Sequence, residues 1–447
     1  MKRVVLVANS TWCIHNFRYN LMKQLLEEGC ELHVVAPLDP TYDNPTFISA
    51  FRKLGIAFHP IPLQPRGLNP LKELVSVISL FKLLRALSPD VVLTYTVKCN
   101  LYTGFCRQLL NFSQIANVPG LGEVFERRGL LSSLVCALYR LSFRGISKAF
   151  FQNAEDLRYC LERRLVPSDK CAVIPGSGVD LSRFSTAFPP RQKAKRTFLM
   201  FGRLLPQKGY REYLEAAREI KSLLGDQVEC MIMGIEDRNR PESTALLAKI
   251  KEAQAEGIVT LLPSVVDVTP VLAAVDAVVL PSRYNEGVPR SLLEALASGK
   301  VIITTDWRGC RETVREGKNG FLVDVNNVGD LVQAFLKVAA LDEVALRAMG
   351  KQSRALVEER FDEQLVLDEY MRAVVGHVPT DRQKHAANLA ERRQDSLART
   401  RMLSPERVPS EPNVLPIHLN QQTPANQTAP AASGLQLDRG MPLEIAE

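Results

Sequence analysis

The sequence predicts an α/β protein made of two doubly wound domains in tandem, followed by a tail of different character. Three observations carry that expectation. Residues 1–187 alternate short apolar runs with amphipathic ones. The alternation restarts at Phe198 and continues to Val323. Between the two series lies Phe188-Pro189-Pro190-Arg191-Gln192-Lys193, a polar stretch punctuated by proline and suited to a linker. Strand–helix alternation favours an open parallel sheet covered on both faces. Two such sheets in tandem face each other across a cleft at their carboxyl edges, where ligands bind in folds of this kind.

In the first series the predicted strands are Arg3–Ala8, Glu31–Pro37, Ile56–Leu63, Asp90–Tyr95, Gln114–Val118, Lys148–Gln152 and Cys171–Pro175. Helical periodicity separates them, as at Phe17–Glu28 and Leu71–Leu87. The second series places strands at Phe198–Phe201, Val228–Met233, Val259–Leu262, Ala277–Leu280, Val301–Thr305 and Phe321–Val323. Its helices include Tyr210–Leu224, Leu246–Ala255, Thr269–Ala274 and Arg290–Leu296, the last with Pro289 in its first turn. Phe361–Val375 reads as a further helix after the last strand. The expected divisions are therefore 1–187, 188–360, 361–375 and 376–447. From Gly376 onward there is no Phe, Trp, Tyr or Cys and there are eight prolines. That composition predicts a mostly disordered tail, with a charged helix near Arg382–Arg401.

Composition excludes several classes. Nine cysteines form no C-x-x-C pair, which argues against a zinc site or a disulfide framework and fits a reducing compartment. The apolar start Val4–Ala8 is too short for a signal peptide. No apolar run reaches the ~18–20 residues of a membrane span. No G-x-G-x-x-G follows a strand, which disfavours a dinucleotide-dependent oxidoreductase.

The net charge of +7 is uneven: residues 1–185 hold 22 Lys and Arg against 14 Asp and Glu. That concentration points to an anionic partner of the first domain. Arg127 and Arg128 precede, and Arg140 and Arg144 close, an apolar run from Leu130 to Phe143. Leu71–Leu87 combines Lys72, Lys82 and Arg85 with Leu74, Val75, Ile78, Leu80, Phe81, Leu83 and Leu84. Basic amphipathic helices of this type lie in a membrane interface, where each cation contributes about 1 kcal/mol near anionic lipid. Nucleic acid is disfavoured, because no aromatics interleave the cations and no binding motif occurs.

Two segments carry chemistry. In Asn285-Glu286-Gly287-Val288-Pro289-Arg290-Ser291-Leu292-Leu293-Glu294, two carboxylates straddle a loop-to-helix junction. The helix N-terminus suits an anion, and the carboxylates suit hydroxyls beside it. Phosphate flanked by hydroxyls describes a nucleotide sugar. In Gly202-Arg203-Leu204-Leu205-Pro206-Gln207-Lys208-Gly209, Gly202 lets the chain leave a strand tightly, and a guanidinium and an ammonium share one loop, as suits a diphosphate.

These two segments resemble the signature of the family 4 glycosyltransferases, retaining enzymes of the GT-B fold with two Rossmann-like domains. The resemblance continues through Asp306–Glu312 and Asn319–Val323, and into the first domain at Ser10–Trp12, Asn16–Arg18, Gly120–Phe125 and Ile174–Asp180. It covers roughly residues 1–375 and is strongest to the bacterial capsule and lipid-linked oligosaccharide branch.

The resemblance implies roles. Arg203 and Lys208 hold the diphosphate and stabilise the leaving nucleotide. Glu286 bonds donor-sugar hydroxyls, Glu294 the ribose hydroxyls, and the amides of Gly287 and Val288 face phosphate or sugar. Phe361–Val375 crosses back onto the first domain. Acceptor contacts are expected at His15, placed on the cleft side after the first strand, and at Gly120, Gly122 and Glu123. The segment Ser264–Asp267 keeps only Asp267 of an arginine–aspartate pair common in relatives, which leaves base recognition to backbone groups near Val265. The loop Asn9–Trp12 lacks the glycines that many relatives place near the phosphates.

The resulting expectation is a retaining transferase moving a hexose or N-acetylhexosamine from a UDP-sugar to a polyprenyl-diphosphate-linked sugar. It would act on the inner face of the cytoplasmic membrane as a peripheral protein. No Asp-x-Asp motif sits beside a strand, so neither metal nor other cofactor is expected. The competing readings are a GT-B nucleotide-sugar 2-epimerase and a non-catalytic nucleotide-sugar-binding protein.

Overall fold

The structure is a computed structural model that describes residues 1–38, 44–64, 69–121, 130–184, 195–237 and 240–377. The expected tail helix, the 187/188 boundary, and Gly122, Glu123, Arg127 and Arg128 lie outside the described residues.

The chain runs β1 (Arg3–Val7), α1 (Thr11–Glu27), β2 (Glu31–Ala36), α2 (Asn44–Lys53), β3 (Ala57–Pro60), α3 (Pro70–Leu87), β4 (Val91–Tyr95), α4 (Val97–Arg107), β5 (Ser113–Val118), α5 (Leu130–Phe143), β6 (Lys148–Phe151), α6 (Ala154–Glu162) and β7 (Cys171–Val173). It continues through β8 (Arg196–Arg203), α7 (Tyr210–Leu224), β9 (Val228–Ile235), α8 (Pro241–Ala255), β10 (Thr260–Leu262), α9 (Thr269–Ala273), β11 (Ala277–Leu280), α10 (Arg290–Ala297), β12 (Val301–Thr305) and β13 (Gly320–Val323). Three helices close the described chain: α11 (Val328–Ala339), α12 (Glu343–Arg360) and α13 (Glu363–Val375).

Every strand read from the sequence is present, and all pair in parallel. The first sheet has the order β3-β2-β1-β4-β5-β6-β7 and the second β10-β9-β8-β11-β12-β13. In each, the order reverses beside the first strand, so the switch points lie between β1 and β4 and between β8 and β11. The central strands are apolar on both faces, as the buried runs Val4–Val7 and Ala277–Leu280 illustrate.

Several ends differ from expectation. Helix α1 starts at Thr11, not Phe17, because the Ser10 hydroxyl accepts from the Cys13 amide and caps the helix three residues after β1. The segment Asn9–Trp12 is therefore a cap and a first turn, not a loop. Strand β8 extends to Arg203, so Gly202 and Arg203 end a strand where a loop was expected. Pro289 is the N-cap of α10 and not inside its first turn. Glu294 lies one turn into α10.

Helix α13 buries Val366, Leu367, Tyr370, Met371 and Val374 in the core that also holds Val4, Leu6 and Leu93 of the first sheet. Full burial of each such side chain stabilises by about 1.5–3 kcal/mol. Phe361, two residues before α13, belongs to the second sheet's core. The two chain crossings between the sheets are bonded to each other: the Val179 amide donates to the Phe361 carbonyl at 2.9 Å, and the Glu363 amide to the Val179 carbonyl at 3.1 Å.

Candidate functional site

The site forms where β8 and β11 release their chains. At the end of β8, Gly202 has φ +143°, a conformation that disfavours any side chain. The Tyr210 hydroxyl donates to the Gly202 carbonyl at 3.0 Å and fixes it from α7. A Cβ on Gly202 would lie 3.9 Å from Lys208 Nζ, so the glycine keeps the space before the ammonium open. The turn carrying Lys208 is tied to the loop after β11, because the Arg283 amide donates to the Gln207 carbonyl at 2.8 Å. That loop is pinned from β12: the Thr304 hydroxyl donates to the Leu280 carbonyl at 2.6 Å, and the Thr305 hydroxyl to the Ser282 carbonyl. Trp307 donates from its indole to Asn285 Oδ1 at 3.2 Å.

These ties bring Lys208 and Glu286 together. Lys208 Nζ lies 3.1 and 3.2 Å from the two Glu286 oxygens, and both side chains are largely buried. The hydrogen bond falls on Oε2. Oε1 is buried without a hydrogen-bond partner among the described residues, although the ammonium is within ion-pair distance. A buried carboxylate oxygen in that state is an acceptor prepared for a hydroxyl. The Arg203 guanidinium makes no hydrogen bond or ion pair among the described residues, while its backbone carbonyl accepts from the Leu205 amide at 2.9 Å. Beneath the pair, burial pushes the Cys310 thiol up to about 12, so it stays neutral.

Glu294 accepts from Arg290 Nε at 3.0 Å across one turn of α10. The same guanidinium donates to the Gly178 carbonyl and reaches Ser177 Oγ at 3.4 Å. One oxygen of Glu294 is thus oriented by a side chain that also grips the segment leading out of the first domain. Val265 stands apart, 44% exposed in the loop after β10, where the Ser264 hydroxyl donates to the Gly234 carbonyl at 2.8 Å.

The Gly287 amide donates to the Pro119 carbonyl. The first domain therefore occupies one of the two amides that the resemblance assigned to phosphate or sugar. Gly120 packs directly on the loop that carries Glu286: a Cβ there would lie 2.9 Å from Glu286 Cα.

His15 is not on a loop. It sits on α1 against Phe47 and Tyr19, with ring centroids at 4.9 and 5.4 Å, and its Nδ1 is buried without a partner among the described residues. Burial, and secondarily the Arg183 charge, hold its pKa below the usual imidazole value. Arg140 donates to the Arg163 and Arg164 carbonyls at 2.9 and 3.2 Å, while Arg144 is exposed at the end of α5.

Sequence reasoning missed Gln152, Asp156 and Arg308, and took Arg290 only as a helix start. The Gln152 side chain lies against Gly287. Arg308 reaches Asp156 of the first domain at 3.2 Å. A buried carboxylate at the start of α6 was the available signal, but no local motif marks it.

Comparison with known proteins gives a consistent result. Residues 14–176 match the family described as glycosyl transferase 4-like domain, and residues 183–355 match glycosyl transferases group 1. The chain is 26% identical over 386 residues to the N,N'-diacetylbacillosaminyl-diphospho-undecaprenol alpha-1,3-N-acetylgalactosaminyltransferase of Campylobacter jejuni, covering 83% of this chain and 97% of that protein. It is 27% identical over 318 residues to the UDP-Gal:alpha-D-GlcNAc-diphosphoundecaprenol alpha-1,3-galactosyltransferase of Escherichia coli, covering 68% and 79%. Among solved structures, Anabaena HepE in complex with UDP superposes with a TM-score of 0.67 at 18% identity, covering 84% of this chain and all (100%) of that one. A glycosyltransferase from Rickettsia africae superposes with a TM-score of 0.66, also at 18% identity, covering 83% and 97%. With one matched domain on each sheet and the ion pair at the second switch point, the chain belongs to the family 4 glycosyltransferases of the GT-B fold.

Proposed function

We propose that this glycosyltransferase moves a hexose or N-acetylhexosamine, with retention, from a UDP-sugar to a polyprenyl-diphosphate-linked sugar. The observation that carries the donor half is the Lys208–Glu286 pair beside the unpaired Arg203, in the space kept open by Gly202. The two most extensive relatives named above, both transferases to undecaprenol-linked sugars, support the acceptor half.

The mechanism follows from charge. The bond between the anomeric carbon and the β-phosphate oxygen breaks, leaving negative charge on UDP and positive character on the sugar ring. Arg203 and Lys208 meet the negative charge, each worth about 3–4 kcal/mol of barrier if preorganised. Glu286 Oε1 accepts from a donor-sugar hydroxyl, and Glu294 from the ribose. The acceptor hydroxyl attacks on the face from which UDP departs and gives its proton to the leaving phosphate oxygen, so no protein base is required. With two cations serving the leaving group, turnover should persist in EDTA.

The acceptor's lipid would be met from the inner leaflet by α3. Leu71, Leu74, Val75 and Ile78 lie at helical spacing and are exposed, Leu71 by 76%, while Ser76, Leu80 and Leu84 face the core. Lys72, Lys82 and Arg85 flank that apolar stripe. On α5, exposed Leu134 and Leu141 accompany Arg140 and Arg144. No described helix is long and apolar enough to cross a membrane.

The test is UDP release from a panel of UDP-sugars, with and without a membrane extract supplying lipid-linked acceptor. Release from one donor that rises with the extract supports the reading and names the sugar. UDP binding without release from any donor would favour a non-catalytic sugar-nucleotide binder.

A further inference from the structure

A ring of contacts closes around Gly287. From the first domain, the Pro119 carbonyl takes the Gly287 amide, and the Gln152 side chain leaves no room for a Cβ at 287. From the second domain, Gly309 lies so close to the Gly287 carbonyl that no Cβ fits there either. Charge completes the ring. Arg308, adjacent to Gly309, donates to Asp156 Oδ1 at 3.2 Å, and its Nε lies 3.8 Å from Glu155. Arg311 donates to Glu155 at 2.6 Å and to Asp306 at 2.7 Å.

Asp156 is the centre of this cluster. It is fully buried, at 0% exposure. It accepts from the Asn153 side chain at 2.9 Å, and the backbone amide of Leu121, two residues beyond Pro119, faces it closely enough to favour the charged carboxylate. One carboxylate therefore bonds the second-domain segment that touches Gly287 and lies beside the first-domain loop that touches it from the other side. A buried ion pair is a poor source of net stability, because desolvating the charges offsets their attraction. Its place around the residue next to Glu286 supplies a different reason for it.

We propose that the Asp156–Arg308 pair, backed by Glu155–Arg311, is an interdomain clamp that positions Glu286 against the donor sugar when the two domains meet. These are positioning residues: they act on the donor through Gly287 and do not touch it. The proposal rests on the transferase reading for its consequence in turnover, but not for its structural content.

The test uses Asp156→Asn and Arg308→Gln, singly and together, in the full chain. With the donor that the wild type uses, kcat should fall by up to about 100-fold while donor KM changes little. The double variant should be no worse than the worse single, because both remove one interaction. A second readout needs no substrate. The chain has two tryptophans, so a Trp12→Phe background leaves Trp307, bonded to Asn285, as the reporter. Its emission should shift when NaCl is raised to about 0.5 M, which screens the exposed half of the cluster. In the Asp156→Asn variant it should already sit near the high-salt position. A folded Asp156→Asn protein with wild-type kcat and unmoved Trp307 emission overturns the proposal, as do fully additive singles. If the wild type turns over no donor, the transferase reading fails and the Trp307 readout still decides the clamp.

Discussion

The two sheets share a strand order but treat their switch points differently. Between β8 and β11 the space is open, with Gly202 before Lys208 and Glu286. Between β1 and β4 it is filled. The Arg18 guanidinium lies 4.6 Å from the Tyr95 ring centroid and 5.5 Å from that of Tyr370 on α13. Asn117 donates to the Tyr370 hydroxyl at 2.8 Å, and Gln152 to Asn117 at 3.2 Å. In the second domain that space is lined by the Lys208–Glu286 pair; in the first, the returning helix packs over the sheet face and its Tyr370 reaches the ends of β4 and β5. The proposed donor site is therefore ionic and local to the second domain. The first domain contributes backbone and packing: Pro119, Gly120, Gln152 and the segment Ser177–Gly178.

The sharpest way to break this contrast is to empty the open switch point of charge. Glu286→Ala or Lys208→Ala should lower turnover about 10²–10³-fold, the size of losing one preorganised contact to the transition state. The melting curve should keep its cooperativity, since neither side chain belongs to a core. Unchanged turnover in Glu286→Ala would remove the role assigned to that carboxylate.

The second largest effect should come from the other side of the cleft without touching a charge. Gly120→Ala places a methyl group 2.9 Å from Glu286 Cα, at φ +153°. The first-domain loop must then retreat from the loop that carries Glu286. A displacement of about 1 Å at a reacting centre can cost roughly 100-fold in rate. The measurement is kcat against UDP affinity by calorimetry. Lost turnover with retained UDP binding supports closure as the step affected, whereas lost UDP binding would place Gly120 in the donor site itself.

The same contrast explains what the sequence made legible. The strands were readable because both sheet faces are covered, which turns each central strand into a short continuous apolar run. The proposed donor site could be put forward from sequence because two short segments carry its charged residues, and the fold brings Lys208 and Glu286 of those segments together. The first domain's share was not, because its parts meet only in three dimensions. Asp156 and Arg308 are 152 residues apart, and although Arg308 falls in the segment Asp306–Glu312, nothing in sequence links it to Asp156. Helix α1 was started late because its first turn, Thr11–Ile14, gives no apolar period and Ser10 alone announces it. His15 was placed on a loop for that reason, and its aromatic neighbours come from α1 and α2 together.

A smaller effect should appear at α3, where the first domain offers an exposed apolar stripe. Leu74→Glu and Ile78→Glu remove two exposed members of the stripe and add two negative charges. If α3 inserts into lipid, binding to vesicles containing anionic phospholipid should weaken roughly tenfold or more per substitution. Turnover on a water-soluble acceptor analogue should be unaffected. Equal vesicle binding by wild type and double variant would remove α3 as the contact.

The smallest effect concerns His15, and it separates packing from substrate contact on the first domain's cleft helix. The ring packs at a tilt against Phe47 and Tyr19, and its buried Nδ1 has no partner among the described residues, so the folded protein favours the neutral form. Its pKa is lowered below the ordinary value of 6.5, by burial first and the Arg183 charge second. In the window below 6.5 the unfolded chain binds the proton more readily than the folded one. The His15 contribution to stability is therefore complete above that window and is lost as pH falls through it. His15→Phe keeps a ring in that packing and removes the titration. The variant should lose less stability than the wild type on acidification from neutrality, as read by denaturant melts at matched pH, and should keep its donor KM. A variant with the wild-type pH dependence would show that the imidazole is not held neutral by the fold. A variant with normal stability but impaired transfer to the lipid-linked acceptor would return His15 to the acceptor site, because packing against α2 alone predicts no such loss.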